Sequence, residues 1–204
     1  MSRCHQCDSR LSPNGGIESP FASHPEGTLY CRDCIATPRV AFVGCGAAKA
    51  DVDDPVPAKD LYTSSYFSLK REYAETTCDD WYIVSAEHGL LSPDDEIELY
   101  DASLVPDDDS FIGDYQAGKW SVRTSQEIST ALSLWTYTTT AVLLLGQNYQ
   151  EHLEDWAFAT IRHVETPFED TSGLMDQMGW LRDEIDNYQP PGQAEIEDFG
   201  EGSA

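Results

Sequence analysis

Uninterrupted apolar segments, separated by stretches of helical spacing, most constrain the fold of this chain. The predicted strands lie at 39–43, 81–84, 141–145 and 161–164. The predicted helices lie at 60–77, 110–135, 147–158 and 174–188. Strands without polar alternation are typical of a sheet that is covered on both faces. The pattern therefore predicts a three-layer α/β domain, with a mostly parallel sheet of about four strands and helices on both faces.

The chain is predicted to divide into three parts. Residues 1–37 form a separate N-terminal segment, and Pro38 marks the start of an α/β domain that spans 38–188. Residues 189–204 begin with Gln-Pro-Pro-Gly and continue with acidic and small residues. Because such a segment cannot bury a core, we expect a disordered acidic tail there.

Four cysteines in the N-terminal segment predict a zinc-binding module. They form two Cys-x-x-Cys pairs with 23 residues between them, a gap that requires a hairpin or a small loop. Each pair turns two thiolates toward one point, and two pairs complete a tetrahedron. Two disulfides or a redox pair are the alternatives, but no signal peptide is recognised. The expected Zn²⁺ ligands, in a structural site, are Cys4, Cys7, Cys31 and Cys34.

The charge balance is strongly acidic. The chain has 37 Asp and Glu against 12 Lys and Arg, a formal net charge of −25. Such a charge repels itself at low salt and is screened at high salt, so a halophilic protein is expected. An acidic partner mimic is the alternative, whereas an apolar content of 40% argues against disorder throughout. Salt also screens phosphate repulsion, so nucleic acid stays open as a partner. No apolar run has the length of a membrane span, and a cytoplasmic location is expected.

Small and cationic residues follow the first predicted strand. Ligands of parallel sheets bind outside the carboxyl ends of the strands, so this loop is a candidate binding site. It matches neither the dinucleotide fingerprint nor the Walker A loop, but its backbone amides could still approach an anion. A tight turn with a solvated lysine is the alternative, and a packing role for the cysteine is favoured over a nucleophilic one. The candidates are Gly44, Cys45, Gly46 and Lys49.

The second predicted strand ends on residues suited to acid–base chemistry. Glu87 and His88 stand where the strand ends, and Asp101 lies farther along the same loop, where it could orient His88 or act on a substrate. The alternatives are an exposed Glu87, a capping His88 and an ordinary loop carboxylate. A tyrosine after the third strand could stack on a ligand. Further candidates for substrate binding are Asp60, Tyr62, Ser85 and Tyr100.

These segments resemble a domain family of unknown function found in bacteria, archaea and their viruses. The resemblance covers about 39–185, and the cysteine segment lies outside it. Family members often have proline where Leu99 stands. The resemblance is carried by the lysine loop at 44–49, Leu-Tyr-Thr-Ser-Ser-Tyr-Phe at 61–67, Trp-Tyr-Ile-Val-Ser-Ala-Glu-His-Gly-Leu-Leu at 81–91 and Tyr-Asp at 100–101.

The same region is similar, more distantly, to α/β domains of the uracil-DNA-glycosylase type and to domains of tRNA deazaguanine-modifying enzymes. This similarity implies base excision or exchange as the reaction class. The chain lacks the aspartate-proline-tyrosine-histidine stretch that such glycosylases carry after their first strand. Their water-activating residue therefore has no counterpart here.

The leading hypothesis is an enzyme that acts on a nucleotide or a nucleic-acid base. Lys49 would hold phosphate, Tyr62 would contact the base, and Glu87 with His88 would transfer protons. One alternative is a non-catalytic nucleotide or nucleic-acid binding module. Another is an adaptor that binds a protein partner through the zinc module. Convergence of Glu87, His88 and Asp101 on one cavity would favour catalysis, whereas their separation would favour binding.

Overall fold

The computed structural model describes residues 38–135 and 138–188, and two short strands nearer the N-terminus. The chain divides into two units, one of residues 1–37 with 189–204 and the other of residues 38–188. In the first unit, β1 (Ile17–Glu18) pairs antiparallel with β2 (Leu29–Tyr30). This pair agrees with the hairpin expected between the two Cys-x-x-Cys pairs. The cysteines themselves and the acidic tail lie outside the described residues.

The second unit alternates strands and helices along most of its length. Its elements are β3 (Arg39–Gly44), β4 (Val56–Pro57), α1 (Ala58–Leu61), α2 (Ser65–Thr77), β5 (Asp80–Ser85), β6 (Gly89–Leu91), β7 (Glu96–Ile97), α3 (Asp114–Leu132), β8 (Thr140–Leu144), α4 (Gln147–His152), a 3-10 helix at Asp155–Phe158, β9 (His163–Glu165) and α5 (Leu174–Asp186).

The main sheet has five strands in the order β6-β5-β3-β8-β9. The four strands β5, β3, β8 and β9 run parallel, and β6 pairs antiparallel with β5 at one edge. The predicted α/β class with a mostly parallel sheet is confirmed, but the predicted strand number of about four is too low. The missing strand is β6, whose three residues follow β5 after a short turn, in a region that the sequence indicated as loop.

Both faces of β3 are buried, which explains its continuous apolar sequence. Ala41 and Val43 pack in one core with Phe67 of α2 and with α5. Val40 and Phe42 face the opposite side and pack in a second core with α3 and the 3-10 helix. These four residues of β3 have no exposed surface. Burying each valine or phenylalanine contributes about 1.5–3 kcal/mol, so β3 organises both cores.

Two local features position the loop that follows β3. The predicted helix at 60–77 is interrupted, because the Ser64 side chain accepts a hydrogen bond from Phe67 N at 3.1 Å and so begins α2 as an N-cap. The interruption leaves Tyr62 in extended conformation, where it forms an antiparallel bridge with Lys49. Separately, β4 pairs with β7, which brings the segment after β3 beside the segment that leads to Tyr100.

Candidate functional site

The centre of the sheet contains a topological switch point. The chain leaves β3 toward α2 on one face, whereas it leaves the neighbouring β8 toward α4 and the 3-10 helix on the other face. Adjacent parallel strands whose connections diverge leave a crevice at their carboxyl ends, where α/β proteins bind ligands. The loops that flank this crevice begin at Cys45 and Leu145, and the turn after β5 lies beside them.

Cys45 and Tyr149 meet at the switch point. The Cys45 thiol and the Tyr149 hydroxyl share a hydrogen bond of 3.0 Å between Sγ and Oη. Cys45 N donates to Val84 O at 3.0 Å, which extends the pairing of β3 with β5 by one residue and fixes the direction of the thiol. Burial, and secondarily the nearby thiol, raises the pKa of Tyr149 well above its ordinary value, so the phenol stays neutral.

Ser85 connects the turn after β5 to two further tyrosines. Its hydroxyl is fully buried, shares a 2.8 Å hydrogen bond with Tyr100 Oη, and accepts from the backbone N–H groups of Glu87 and His88 at 3.2 Å. Tyr100 Oη in turn shares a 2.8 Å hydrogen bond with Tyr62 Oη. Burial is the largest cause that raises the pKa of both phenols, and the Cys45 thiol adds to it. The chain of hydroxyl groups is therefore neutral and can both donate and accept.

Lys49 closes one side of this group of residues. Its ammonium lies 4.4 Å from the centroid of the Tyr100 ring, within the range of a cation–π contact. Gly46 allows the loop to lie close to the start of α2, since a Cβ at this position would lie 3.1 Å from Ser64 Oγ. We call the assembled residues the strand-end cluster; they are Cys45, Lys49, Tyr62, Ser85, Tyr100 and Tyr149.

A buried lysine lies directly behind the strand-end cluster. Lys70 of α2 is only 3% exposed, and its ammonium donates to Gly44 O at 2.6 Å and to Leu144 O at 3.4 Å. Both carbonyls belong to the last residues of their strands. The Tyr66 ring lies 4.7 Å from the same ammonium. Burial lowers the pKa of Lys70 to about 8, against an opposing contribution from Cys45.

The three predicted acid–base residues do not converge on one cavity. Glu87 is exposed and lines a cavity of about 410 Å³ beside α3, and neither His88 nor Asp101 lines that cavity. The His88 ring packs edge-on against Tyr100, at 4.9 Å between centroids. Its Nε2 atom is buried and has no hydrogen-bond partner within the described residues. Asp101 is exposed. Among these residues, His88 alone contacts the strand-end cluster through its side chain.

The other sequence candidates fall into two groups. Gly44 is the last residue of β3 and Gly46 lies in the loop after it, so both are adjacent to Cys45. Asp60 instead is exposed, and its carboxylate pairs with Arg71 Nη1 at 3.0 Å. This ion pair directs Asp60 along the surface of α1 and α2, away from the hydroxyl groups of the cluster.

Sequence reasoning missed Lys70, although its position carries a signal. Phe67 and Tyr73 lie three residues before and after it in α2, and Ala74 lies four residues after it; all three are buried. Residues at this spacing share one face of a helix, so Lys70 stands on the apolar face. A lysine in the middle of an apolar stripe indicates a buried amine rather than a solvated one.

Two further features are absent from the described residues. No group of three or more His, Cys, Asp or Glu side chains in the described residues is arranged to hold a metal ion. None of the helices in the same residues combines the length and the apolar character that a membrane span requires.

Comparison with known proteins places the second unit in a family. The family of unknown function DUF6884 matches residues 40–183. An uncharacterized protein of Bacillus subtilis (strain 168), YfjM, is 43% identical over 61 residues, which cover 28% of this chain and 41% of the Bacillus protein. The chain thus spans about two fifths of the length of that curated relative. No solved structure was found to match. Because the family match covers most of the chain, this protein belongs to the family of unknown function DUF6884.

Proposed function

We propose that the strand-end cluster binds a nucleotide or a nucleic-acid base, and that the protein acts on this ligand as an enzyme of the base-excision or base-exchange type. The observation that carries the proposal is the meeting, at one switch point, of thiol and hydroxyl side chains that lie at or after the carboxyl ends of three adjacent parallel strands. The reaction class is only what the distant resemblance to uracil-DNA-glycosylase-type domains implies, and their water-activating residue has no counterpart in this chain.

The chemistry of the cluster suits a neutral, planar ligand. Each of its buried hydroxyl groups can donate one hydrogen bond and accept others, as the edge of a base requires. Their raised pKa values keep Tyr62, Tyr100 and Tyr149 protonated at neutral pH. Tyrosine rings also offer faces on which a base can stack. The sequence predicted that Lys49 holds phosphate; because its ammonium lies on the Tyr100 ring, we propose instead that it contacts an electron-rich edge of the base.

His88 is the proposed group for proton transfer. Its backbone is held by the Ser85 hydroxyl at 3.2 Å, and its ring lies against Tyr100. Because Nε2 has no hydrogen-bond partner among the described residues, a ligand proton would satisfy this buried atom. Glu87 and Asp101 are exposed and do not share a cavity with His88, so the proposed proton transfer rests on His88.

A non-catalytic binding module is the second candidate. The observation that favours it is the separation of the acid–base residues, since Glu87 opens onto a different cavity and Asp101 is exposed. A module of this kind would hold a base through the hydroxyl chain without transferring a proton.

One experiment distinguishes the two candidates. The full chain is incubated at high KCl with mixed DNA and tRNA, and the released bases and nucleosides are measured by mass spectrometry; binding of the four common nucleosides is titrated in parallel. Tyr100→Phe removes the hydroxyl at the centre of the hydrogen-bonded chain. Tyr115→Phe is the matched control, because Tyr115 is 73% exposed on α3.

The expected result is release by wild type and by the Tyr115 variant, and loss of at least about tenfold in the Tyr100 variant, the scale of a buried hydrogen bond. Binding without release would support the module. Absence of both binding and release would refute the proposal.

A structural Zn²⁺ site in the first unit is a second, separate proposal. The spacing of Cys4, Cys7, Cys31 and Cys34 suits one tetrahedral site. The β1–β2 pair supports it, because this hairpin lies between the two cysteine pairs and β2 ends immediately before Cys31. Such a module would bind nucleic acid or a protein partner.

A further inference from the structure

We propose that the cavity beside α3 binds the phosphate group of the ligand whose base lies in the strand-end cluster. This inference rests on the proposed function and names its substrate class, a phosphorylated nucleoside or a nucleic-acid strand rather than a free base. The cavity has a volume of about 410 Å³ and lies between α3 and the turn after β5. We call it the α3 cavity; its polar lining is Glu87, Gln116, Lys119 and Arg123, with Trp120 at its wall.

The cations of the α3 cavity are spaced to act together. Lys119 and Arg123 are four residues apart on α3, and Gln116 is three residues before Lys119, so all three project from one face of the helix. Arg123 directs Nη2 to Glu87 O at 3.0 Å, and its Nε lies 3.8 Å from the nearest Glu127 carboxylate oxygen. Guanidinium, ammonium and amide groups on one face are donors that match phosphate oxygens.

Lys119 differs from three basic side chains of the domain that form close ion pairs. Arg39, Lys59 and Arg71 each pair with a carboxylate within 3.0 Å. Within the described residues no carboxylate pairs with Lys119, whose ammonium instead lies 4.3 Å from the centroid of the Tyr115 ring. In a chain with about three acidic residues for each basic one, an unpaired lysine on a cavity wall is available for an external anion.

The α3 cavity and the strand-end cluster share the turn after β5. Ser85 contributes its hydroxyl to the cluster, and its carbonyl accepts from Trp120 Nε1 at 2.8 Å. The Trp120 ring contacts Tyr149 edge-on at 5.8 Å between centroids, so one aromatic wall runs from the cluster to the cavity. The two sites are therefore neighbours, and the proposal requires one ligand to span them.

Gly89 makes this close approach possible. It adopts φ of 78°, and a Cβ there would lie 2.5 Å from Glu127 Oε2 and 3.4 Å from Arg123 Nε. The turn after β5 consequently lies directly on α3, where the Glu87 carbonyl accepts from Arg123 Nη2.

Glu87 gives the proposal a directional test. Its carboxylate lines the same cavity and opposes a bound anion, so the cavity carries two cationic groups against one anionic group. Replacing this carboxylate by an amide removes the repulsion and leaves a donor. Glu87→Gln should therefore strengthen phosphate binding, whereas loss of either cation should weaken it.

The experiment compares ligands with and without phosphate, on the full chain at constant KCl. Calorimetric titrations use the four common deoxynucleosides, their 5′-monophosphates and a mixed-sequence single-stranded decanucleotide. We expect monophosphates to bind about tenfold more tightly than nucleosides, the scale of charge-assisted hydrogen bonds. Lys119→Gln and Arg123→Gln should lower monophosphate affinity to the nucleoside level, and Glu87→Gln should raise it. Lys59→Gln is the control, since that lysine pairs with Asp94 outside the cavity.

The outcomes separate this inference from the proposed function. Equal affinity of nucleosides and monophosphates overturns the inference and leaves the proposed function standing. A stronger preference for the decanucleotide than for the monophosphates identifies a nucleic-acid strand as the source of the phosphate, and the reverse identifies a free nucleotide.

A second readout does not depend on the choice of base. Inorganic phosphate is titrated into the ¹⁵N-labelled chain at constant ionic strength, and amide shifts are expected around Gln116, Lys119 and Arg123. These shifts should disappear in Arg123→Gln. Their absence in wild type overturns the inference, whereas shifts without any nucleoside binding support the cavity and contradict the proposed base site.

Discussion

Replacing Lys70 by methionine is expected to change how the stability of the protein depends on pH. The pKa of this buried amine falls from 10.5 to about 8 in the folded chain. Because the folded-state pKa is depressed, the unfolded chain binds more protons between pH 8 and 10.5. Wild-type stability therefore gains a contribution as pH rises through this window, and lacks it below pH 8.

The size of the effect follows from the shift. A difference of about 2.5 pKa units corresponds to about 3 kcal/mol, and Lys70 is fully buried, so solvent screening does not reduce it. Methionine has a similar length and carries no charge, so the variant lacks this contribution at every pH. The free energy of unfolding of the variant minus that of wild type should fall by about 3 kcal/mol from pH 7 to pH 10.5.

Urea denaturation at fixed KCl, repeated at several pH values, measures this difference. In the difference between the unfolding free energies of variant and wild type, the contributions of tyrosine and cysteine titrations that both proteins share cancel. Lys59→Met is the matched control, since its amine is exposed and pairs with Asp94, and it should show no comparable fall with pH. A difference for Lys70→Met that stays constant across the range would refute the depressed pKa.

Four further predictions follow from the sequence and the structure. Metal analysis should find one equivalent of zinc per chain; metal-free protein with the four N-terminal thiols oxidised in pairs would contradict it. The melting temperature should rise steeply with KCl from 0.1 to 3 M, because the Debye length falls from about 10 Å at 0.1 M to about 3 Å at 1 M, and a flat profile would argue against a halophilic protein. Gly89→Ala should destabilise by about 1–3 kcal/mol in urea titrations, because the residue has φ of 78° and a Cβ would displace the Glu127 carboxylate; Gly118→Ala, in open space on α3, should instead stabilise by about 0.5–1 kcal/mol. His88→Ala should lower base-directed activity by about 10²-fold but cost only about 1 kcal/mol, from the lost contact with the Tyr100 ring; a large loss of stability with normal ligand binding would assign His88 to the scaffold.

The parallel strands could be predicted because a strand that is buried on both faces has a continuous apolar sequence. The segment Val40–Val43 is apolar throughout, and each of its side chains enters one of the two cores. β6 has no such apolar run, since it has three residues and begins at a glycine. Its position depends on tertiary contacts, among them the hydrogen bond from Leu90 N to the Glu127 carboxylate at 2.9 Å. Local spacing cannot reveal a partner 37 residues away.

The candidate site could likewise be predicted from the sequence only in part. The polar residues at 45–49 and at 85 could be placed together, because the carboxyl ends of parallel strands lie at one edge of a sheet. The contact between Cys45 and Tyr149 and the burial of Lys70 could not, since each depends on how a helix packs on the sheet. The orientation of Glu87 toward α3 depends on the close approach at Gly89, which φ of 78° permits.

The order of the strands in the sheet has a consequence for biosynthesis. β3 lies between β5 and β8, and the latter begins about 100 residues after β3 ends. Ribosomes add about 5–20 residues per second, so roughly 5–20 s pass before the second neighbour of β3 is made. During that interval the central strand of a nascent chain presents an unpaired, apolar edge of the kind that promotes aggregation. Contacts of such long sequence separation also slow folding, so the carboxyl-end crevice, which needs Tyr149, is completed late in synthesis.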